Sequence, residues 1–241
     1  MINWLRKKTD TGIKLTTDIH SHLLAGLDDG VKTLEEAESI VRIFQHLGYT
    51  KLITTPHVMQ DHYRNTPETI RQGVDQLNDY LSKRAIHVNI EVAAEYYLDE
   101  HLVKDIERNA PVLTFGNNYL LFETNFLSEP LNLNEFIFIA TTQGYKLVLA
   151  HPERYVYLQN NMSRIEDLIN RGVLFQLNAA SIAGAYSKPV QTLANKLIDL
   201  GFAHLIGSDC HNIQHAKVLE QIQNSRYFKK ALTLPLLNNS L

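Results

Sequence analysis

The stretch TTDIHSHLLAGLDDG, residues 16–30, places two histidines one position apart at the end of a short apolar run, and two aspartates follow. Side chains two positions apart on a β-strand point to the same face, so His20 and His22 can reach one metal ion. Of the aspartates, Asp29 is the preferred ligand, whereas Asp28 is expected to support a ligand or to face solvent. A polar ending of this kind recurs after other apolar runs of the chain.

Seven runs in total have the character of buried strands, and segments with helical apolar spacing separate them. The runs are IKLTTDIH (13–20), TKLITTPH (50–57), HVNIEVAAE (87–95), YLLFET (119–124), YKLVLAH (145–151), VLFQLNA (173–179) and FAHLIGSD (202–209). Nearly continuous apolar strands, each followed by a helix, indicate a parallel sheet that is buried on both faces. Seven such units predict an α/β fold, and specifically a closed or nearly closed β/α barrel.

Local signals support this division into strands and helices. Thr33 stands three residues before Glu36, and Thr66 directly precedes Pro67, which are patterns typical of helix N-termini. Gly48 and Gly201 are among the glycines that stand where a helix is expected to end before the next strand. No linker or change of composition interrupts the chain. We therefore expect a single domain over residues 1–241 with an N-terminal extension of about residues 1–14.

The composition argues against several classes of function. The 23 basic and 26 acidic residues give a formal charge of −3, so nucleic acid is not an expected partner. Cys210 is the only cysteine, which excludes an intramolecular disulfide. No apolar run approaches the roughly 18 residues of a membrane span, and the first residues lack the apolar segment of a signal peptide. We expect a soluble, cytoplasmic protein that does not insert into membranes.

The polar residues at the strand ends predict where the chemistry takes place. In a β/α barrel, the active site lies at the carboxyl ends of the strands. Six of the seven predicted strands end in histidine or a carboxylate, and these residues are Asp18, His20, His22, His57, Glu95, Glu123, His151, Asp209 and His211. Such a set is typical of Zn, Mn or Fe sites rather than of an ordinary polar rim. The remaining histidines, which fall on helices, loops or strand starts, are expected to be structural or solvated.

These motifs also carry a family resemblance. DIHSH (18–22), TPH (55–57), HPER (151–154) and SDCHN (208–212) resemble, in this order, the motifs of the PHP (polymerase and histidinol phosphatase) superfamily. Together with LDDG (27–30), they are similar to its capsular-polysaccharide branch of manganese-dependent protein-tyrosine phosphatases. The resemblance implies the PHP fold, a distorted (β/α)7 TIM-like barrel with a trinuclear metal centre. The implied ligands are His20, His22, Asp29, His57, Glu95, Glu123, His151, Asp209 and His211, with Glu95 as the carboxylate that bridges two ions.

The resemblance further implies an activity and a partner. The expected reaction is hydrolysis of phosphotyrosine by a metal-activated water, on a bacterial tyrosine autokinase that controls capsular or exopolysaccharide synthesis. Two or three divalent ions are expected, with manganese first and iron or zinc as alternatives. Arg154 is a candidate for binding the phosphate, and Asp209 or His211 for protonating the leaving phenolate. The sequence leaves open whether the protein forms a homo-oligomer.

Two features depart from known patterns. Cysteine-based phosphatases carry an arginine six residues after the nucleophile, whereas that position after Cys210 is Ala216, so Cys210 is not expected to be a nucleophile. Relatives also tend to carry a second arginine shortly after SDxHN. This chain reads NIQHAKVLEQ there, with His215 or Lys217 as the available substitutes.

Three alternatives compete with a tyrosine phosphatase. A PHP-type phosphatase can act on a small phosphomonoester such as histidinol phosphate. A metallohydrolase of the amidohydrolase type is disfavoured because it usually has a histidine on strand six, where this chain has Asn178. A catalytically silent metal-binding interaction module is disfavoured because the candidate ligand set is intact.

Overall fold

A computed structural model describes residues 14–241, which form nine strands and nine α-helices. The strands are β1 (Thr17–Asp18), β2 (Lys51–Thr54), β3 (His57–Val58), β4 (Asn89–Val92), β5 (Glu95–Tyr97), β6 (Tyr119–Glu123), β7 (Lys146–Ala150), β8 (Leu174–Asn178) and β9 (Leu205–Gly207). The helices are α1 (Leu34–His46), α2 (Pro67–Ser82), α3 (Glu100–Glu107), α4 (Leu133–Thr142), α5 (Met162–Asn170), α6 (Ala179–Ala183), α7 (Lys188–Asp199), α8 (Ile213–Ile222) and α9 (Arg226–Ala231). Except for Lys14, the expected N-terminal extension lies outside the described residues. Within residues 14–241, no helix combines the length and the apolar character needed to cross a membrane.

All strand pairs of the sheets are parallel, as the apolar runs predicted. One sheet has the order β1-β2-β4, and the other has the order β3-β5-β6-β7-β8-β9. Only two residues separate β2 from β3 and β4 from β5, so each pair is one interrupted strand and the nine strands make seven units. The predicted α/β fold with seven strand units and a TIM-like barrel is confirmed.

The first and last strand units meet and bring the two edges of the curled sheet together. Ser21 and Cys210 form a parallel bridge. On either side of it, the amide of Asp209 donates to the carbonyl of His20 (2.8 Å), and the amide of His22 donates to the carbonyl of Cys210 (2.9 Å). These contacts bring His20 and His22 next to Asp209 and His211.

Two apolar clusters stabilise the fold from inside and outside the sheet. Ile19, Ile53, Leu121, Val148 and Leu205 come from five strand units, and each is fully buried in the smaller cluster. This cluster contains no helical residue, so it fills the interior of the curled sheet below the strand ends. The larger cluster packs the helices against the outer face. The carboxyl ends of the strands therefore lie above a layer of fully buried apolar side chains.

The helix ends follow the local signals. The hydroxyl of Thr33 accepts from the amide of Glu36 (3.2 Å), while the Glu36 carboxylate accepts from the amide of Lys32 and not from Thr33 as a full capping box requires. Thr66 caps α2 through a reciprocal bond with Thr69, and Pro67 is the first helical residue. Gly48 and Gly201 have the positive φ angles, 94° and 74°, that suit glycine after a helix.

Asp18 joins the first strand to the last through a buried carboxylate. It accepts from the amide and the hydroxyl of Ser208, each at 2.8 Å. Burial raises the pKa of Asp18 to about 7, because desolvation outweighs the two hydrogen bonds. The buried side chain of Asp18 is therefore mainly protonated below about pH 7 in the folded protein.

We expect Asp18→Asn to become progressively more stable than the wild type as the pH rises from 5 to 8. Because the pKa of Asp18 in the folded protein lies above its ordinary value of 3.8, the wild type loses stability as the pH rises from that value through about 7. Asparagine does not titrate, so the variant does not lose this stability. The gain at pH 8 is on the order of a few kcal/mol. Urea unfolding of chelator-treated protein measures it, with Asp61→Asn, at an exposed position, as the control. A stability difference that stays constant with pH would contradict this role of Asp18.

Candidate metal centre

Seven of the nine predicted ligands line a cavity of about 430 Å³ at the carboxyl ends of the strands, and the buried His20 and His22 lie against them. His57 and Glu95 lie opposite each other in the register of β3 and β5, and Glu123 is the last residue of β6. His151 directly follows β7, and Asp209 stands two residues after β9. The cavity is lined by Asp29, His57, Tyr63, Glu95, Glu123, Phe126, His151, Arg154, Tyr186, Asp209, His211, Asn212 and His215.

Glu95 lies at the centre of the cluster. Its Oε2 atom is 3.1 Å from Nε2 of His20 and 3.1 Å from Nδ1 of His57, and its Oε1 atom is 3.0 Å from Nε2 of His151. Burial alone would raise the pKa of Glu95, but the charges of His20 and His57 outweigh it and hold the pKa well below its usual range. The carboxylate is therefore anionic near neutral pH.

Asp209 supplies a second carboxylate oxygen to the same space. Its Oδ1 atom lies 3.5 Å from Nε2 of His20, 3.4 Å from Nε2 of His22 and 3.3 Å from Nδ1 of His211. Burial would raise the pKa of Asp209, but His20 and the other imidazoles hold it well below the usual range. The residue has φ of 51°, an uncommon conformation for aspartate that turns the carboxylate into the cluster.

The histidines are oriented by partners on their outer nitrogens. Nδ1 of His20 is 2.8 Å from Oε1 of Gln176, and Nδ1 of His22 is 2.7 Å from the Asp28 carboxylate. Since these oxygens can only accept, each Nδ1 donates, and the neutral ring then directs the lone pair of Nε2 into the cluster. Nε2 of His22 is buried and has no hydrogen-bond partner among the described residues.

In this arrangement, hydrogen-bond acceptors of the histidines and of the carboxylates face one another. The free lone pair of each Nε2 faces anionic carboxylate oxygens, so a cation is needed between them. Protonation provides one: burial would lower the pKa values of His20 and His57, but Glu95 raises them to about 9 and about 10. A divalent ion satisfies the same lone pairs and matches the imidazole and carboxylate ligands of Zn and Mn sites. The residues present fit a metal centre.

The two adjacent aspartates occupy different places. Asp28 is buried and accepts from Nδ1 of His22 and from the amides of Gly30 (2.9 Å) and His57 (3.0 Å). The Asp29 side chain is 55% exposed, and its Oδ1 atom is 3.4 Å from Nε2 of His211 and 3.6 Å from Nε2 of His57. The structure thus puts Asp29 among the candidate ligands and Asp28 behind His22.

Three groups of donor atoms lie close enough to hold ions. Within each group the described donor atoms are no more than 4.8 Å apart, and the groups are His22, Asp29, His57 and His211; His20, His22 and Glu95; and His57, Glu95 and Glu123. His151 and Asp209 belong to none of these groups, but they contact Glu95 and the histidine cluster as described above. All nine residues predicted as ligands are therefore brought together.

Arg154 and Asp209 form an ion pair at the edge of the cavity. Arg154 ends a 3₁₀ turn (Pro152–Arg154), and its Nη1 atom is 3.1 Å from Oδ2 of Asp209. Burial would lower the pKa of Arg154, but Asp209 raises it above the ordinary value, so the guanidinium stays charged.

Of the proposed substitutes for a second arginine, His215 lines the cavity, whereas Lys217 is exposed and does not. Cys210 is buried, and desolvation raises its thiol pKa well above the usual range.

Several residues that shape the site were not among those predicted from the sequence. Gln176 orients His20, and Asn178 donates to Oδ2 of Asp209 (2.7 Å). Both lie in the otherwise apolar run VLFQLNA, where buried amides were a usable signal because such groups need partners. The aromatic side chains of Tyr63, Phe126 and Tyr186 also line the cavity, and no periodic pattern marked them.

We expect Gln176→Leu to weaken metal binding by about 10–100-fold, because the substitution removes the acceptor that fixes the His20 ring. Leucine keeps a similar volume, so the fold should be retained. Titration of chelator-treated protein with Mn²⁺ measures the change, with Gln191→Leu, at a helix position outside the cavity lining, as the control. Unchanged affinity in Gln176→Leu would show that His20 is oriented without the amide.

The comparisons with known proteins agree on one group. A family model described as capsular polysaccharide synthesis, CpsB/CapC, matches residues 16–231. CapC of Staphylococcus aureus is 30% identical over 213 residues, covering 88% of this chain and 84% of CapC. Tyrosine-protein phosphatase YwqE of Bacillus subtilis is 28% identical over 197 residues, covering 82% of this chain and 78% of YwqE. One match comes from the crystal structures of YwqE from Bacillus subtilis and CpsB from Streptococcus pneumoniae, which are described as metal-dependent tyrosine phosphatases. Its TM-score is 0.81, its sequence identity is 26%, and it covers 90% of each chain.

Proposed function

The chain belongs to the CpsB/CapC family of capsular polysaccharide synthesis, and we propose that it is a metal-dependent protein-tyrosine phosphatase. The observation that carries this proposal is the buried Nε2 atom of His22, which has no hydrogen-bond partner within residues 14–241 and faces the oxygens of Glu95 and Asp209. Relatives named as tyrosine-protein phosphatases support the choice of substrate class.

The proposed ligands are the nine residues gathered around the cavity, and the proposed cofactor is two or three Mn²⁺ ions, with Fe or Zn as alternatives. They are His20, His22, Asp29, His57, Glu95, Glu123, His151, Asp209 and His211. When bound, divalent ions neutralise phosphoryl oxygens and make a water molecule acidic enough to act as the nucleophile near neutral pH. Glu95, whose two oxygens face different histidines, would be able to contact more than one ion.

Arg154 is proposed to bind the phosphate. One edge of its guanidinium is held by Asp209, and the group lies in the cavity lining, so its remaining N–H groups can donate to phosphoryl oxygens. The arginine also offsets the negative charge of the substrate beside Glu123 and Asp209. Its role is thus to orient the ester and to fix the phosphorus atom over the carboxylate cluster.

The reaction forms a bond from the water oxygen to phosphorus and breaks the bond from phosphorus to the tyrosine oxygen. Overall, the water loses one proton and the tyrosine oxygen gains one. Of the two candidate donors, Asp209 carries no proton near neutral pH because its pKa is held low. Burial would lower the pKa of His211, but its hydrogen bond with Asp29 raises it. We therefore prefer His211 to Asp209 as the proton donor, and the nitrogen that donates the proton would not also bind an ion. A phenolate is a good leaving group, so this proton adds less than it would for an alkyl ester.

The proposed physiological substrate is a phosphotyrosine-bearing protein, specifically a bacterial tyrosine autokinase that governs capsule or exopolysaccharide synthesis in the cytoplasm. The names of the relatives support phosphotyrosine as the target, and the family description supports the link to capsule synthesis. A side-by-side assay with a phosphotyrosine peptide and histidinol phosphate tests the substrate class. We expect the peptide to be the better substrate. Faster turnover of histidinol phosphate would contradict the proposal and favour a small-molecule phosphatase.

A further inference from the structure

Three aromatic side chains from three loops stand around the mouth of the cavity. Tyr63 lies between β3 and α2, Phe126 between β6 and α4, and Tyr186 between α6 and α7. We call them the aromatic wall. The other described residues that line the cavity are all polar or charged, and none is aliphatic. The apolar surface offered to a ligand here is therefore made of rings alone.

Phe126 is held in place but keeps part of its ring free. Its ring stacks on His151 with centroids 5.6 Å apart and planes at 27°, and its carbonyl accepts from the amide of Val156 (2.8 Å). The side chain is nevertheless 36% exposed. An apolar ring that is fixed beside a candidate ligand and left partly in solvent has surface available for a bound molecule.

Tyr186 completes the surroundings of the phosphate-binding arginine. The guanidinium carbon of Arg154 lies 4.7 Å from the Tyr186 ring and 4.7 Å from the Phe126 ring. Tyr186 is 41% exposed, and Nδ2 of Asn178 donates to its hydroxyl (3.4 Å). A group bound through its phosphate to Arg154 therefore emerges between or beside two aromatic rings.

Tyr63 supplies a third ring. It stacks on His57 with centroids 5.5 Å apart and planes at 16°, and its amide and carbonyl are paired with those of Met59. The side chain is half-buried. Each ring of the aromatic wall thus packs against a candidate metal ligand or against Arg154. The apolar surface therefore has a defined position relative to the candidate ligands and Arg154, which form the charged floor of the cavity.

We propose that the aromatic wall is the subsite for the phenyl ring of the substrate and makes the site prefer aryl over alkyl phosphate esters. This inference rests on the proposed phosphatase function and adds the residues that choose the ester class. Phosphotyrosine and phosphoserine present the same phosphate to the floor, so the floor cannot distinguish them. The rings can, because a phenyl group buries apolar surface and stacks, whereas the methylene of phosphoserine offers little area.

The test compares two phosphonates that carry the same anion and differ in the ring. Calorimetry on Mn²⁺-loaded protein gives the Kd of phenylphosphonate and of methylphosphonate. In the wild type we expect phenylphosphonate to bind about 10–100-fold more tightly. Phe126→Ala and Tyr186→Ala should each reduce that ratio several-fold, and the double variant should reduce it further, to what Tyr63 alone contributes. The Kd of methylphosphonate should change by less than about threefold.

Phe138→Ala is the matched control, because Phe138 is 71% exposed on α4 and lies outside the cavity lining. Phe126→Leu and Tyr186→Leu repeat the test if an alanine variant unfolds at a lower temperature. Equal loss of affinity for both phosphonates would overturn the inference, since the rings would then act only by placing Arg154. An unchanged ratio would overturn it as well. A wild type that prefers phenylphosphonate but does not cleave phosphotyrosine peptide would refute the proposed function and leave the aryl subsite standing.

Discussion

Glu95→Gln is expected to lower phosphatase activity by about 10³-fold or more and to reduce the metal content of the purified protein. Both oxygens of Glu95 face imidazole nitrogens that also form the proposed ion sites, so one substitution affects several ions at once. Glutamine keeps the shape but removes the negative charge and places an N–H group where a lone pair is needed. Metal analysis and hydrolysis of a phosphotyrosine peptide measure the two effects.

Glu91→Gln is the control for this substitution. Glu91 precedes Glu95 by four residues in the same interrupted strand, and it pairs with Lys51 at 2.7 Å with a partly exposed side chain. Such a surface pair contributes little to stability, so activity and metal content should stay near the wild-type values. If Glu95→Gln retained both metal and activity, Glu95 would not be a ligand, and the proposed centre would need another arrangement.

Arg154→Lys is expected to lower kcat/KM for the phosphotyrosine peptide by about 10²-fold while the metal content stays unchanged. Lysine keeps the charge but loses the planar group that contacts Asp209 and lies over Phe126 and Tyr186. It can bind the phosphate only as a point charge. Steady-state kinetics together with metal analysis separate this effect from a loss of ions.

Arg171→Lys serves as its control, because Arg171 pairs with Asp167 on the surface, away from the cavity. Loss of metal in Arg154→Lys would mean that the arginine acts by holding Asp209 rather than by binding substrate. Wild-type kinetics in the variant would remove Arg154 from the phosphate-binding role.

The positions of the candidate ligands could be predicted because parallel strands end at one edge. His20, His57, Glu95 and His151 each close an apolar run, and a barrel leaves their side chains no other place to meet. The pairing of Asp29 with the cavity and of Asp28 with His22 followed less directly, since two adjacent aspartates have the same chemistry. Their contacts in the folded chain distinguish them, because Asp28 is buried and accepts hydrogen bonds from Nδ1 of His22 and from two backbone amides.

The supporting residues could not be predicted with the same ease. Gln176 and Asn178 act through side chains that reach across to other strands, over 156 residues in the case of Gln176 and His20. The aromatic wall depends on how three loops fold back over the rim, and loop conformation follows from contacts that no local periodicity records. The sequence alone thus indicated the candidate ligands, whereas the supporting amides and the aromatic wall required the structure.

The most direct test of a metal-dependent phosphatase is metal analysis of the purified protein coupled to an assay on a phosphotyrosine peptide, before and after chelation. We expect two or three bound divalent ions per chain, loss of activity when they are removed, and recovery on addition of Mn²⁺. Metal-free protein that hydrolyses the peptide at an undiminished rate would contradict it.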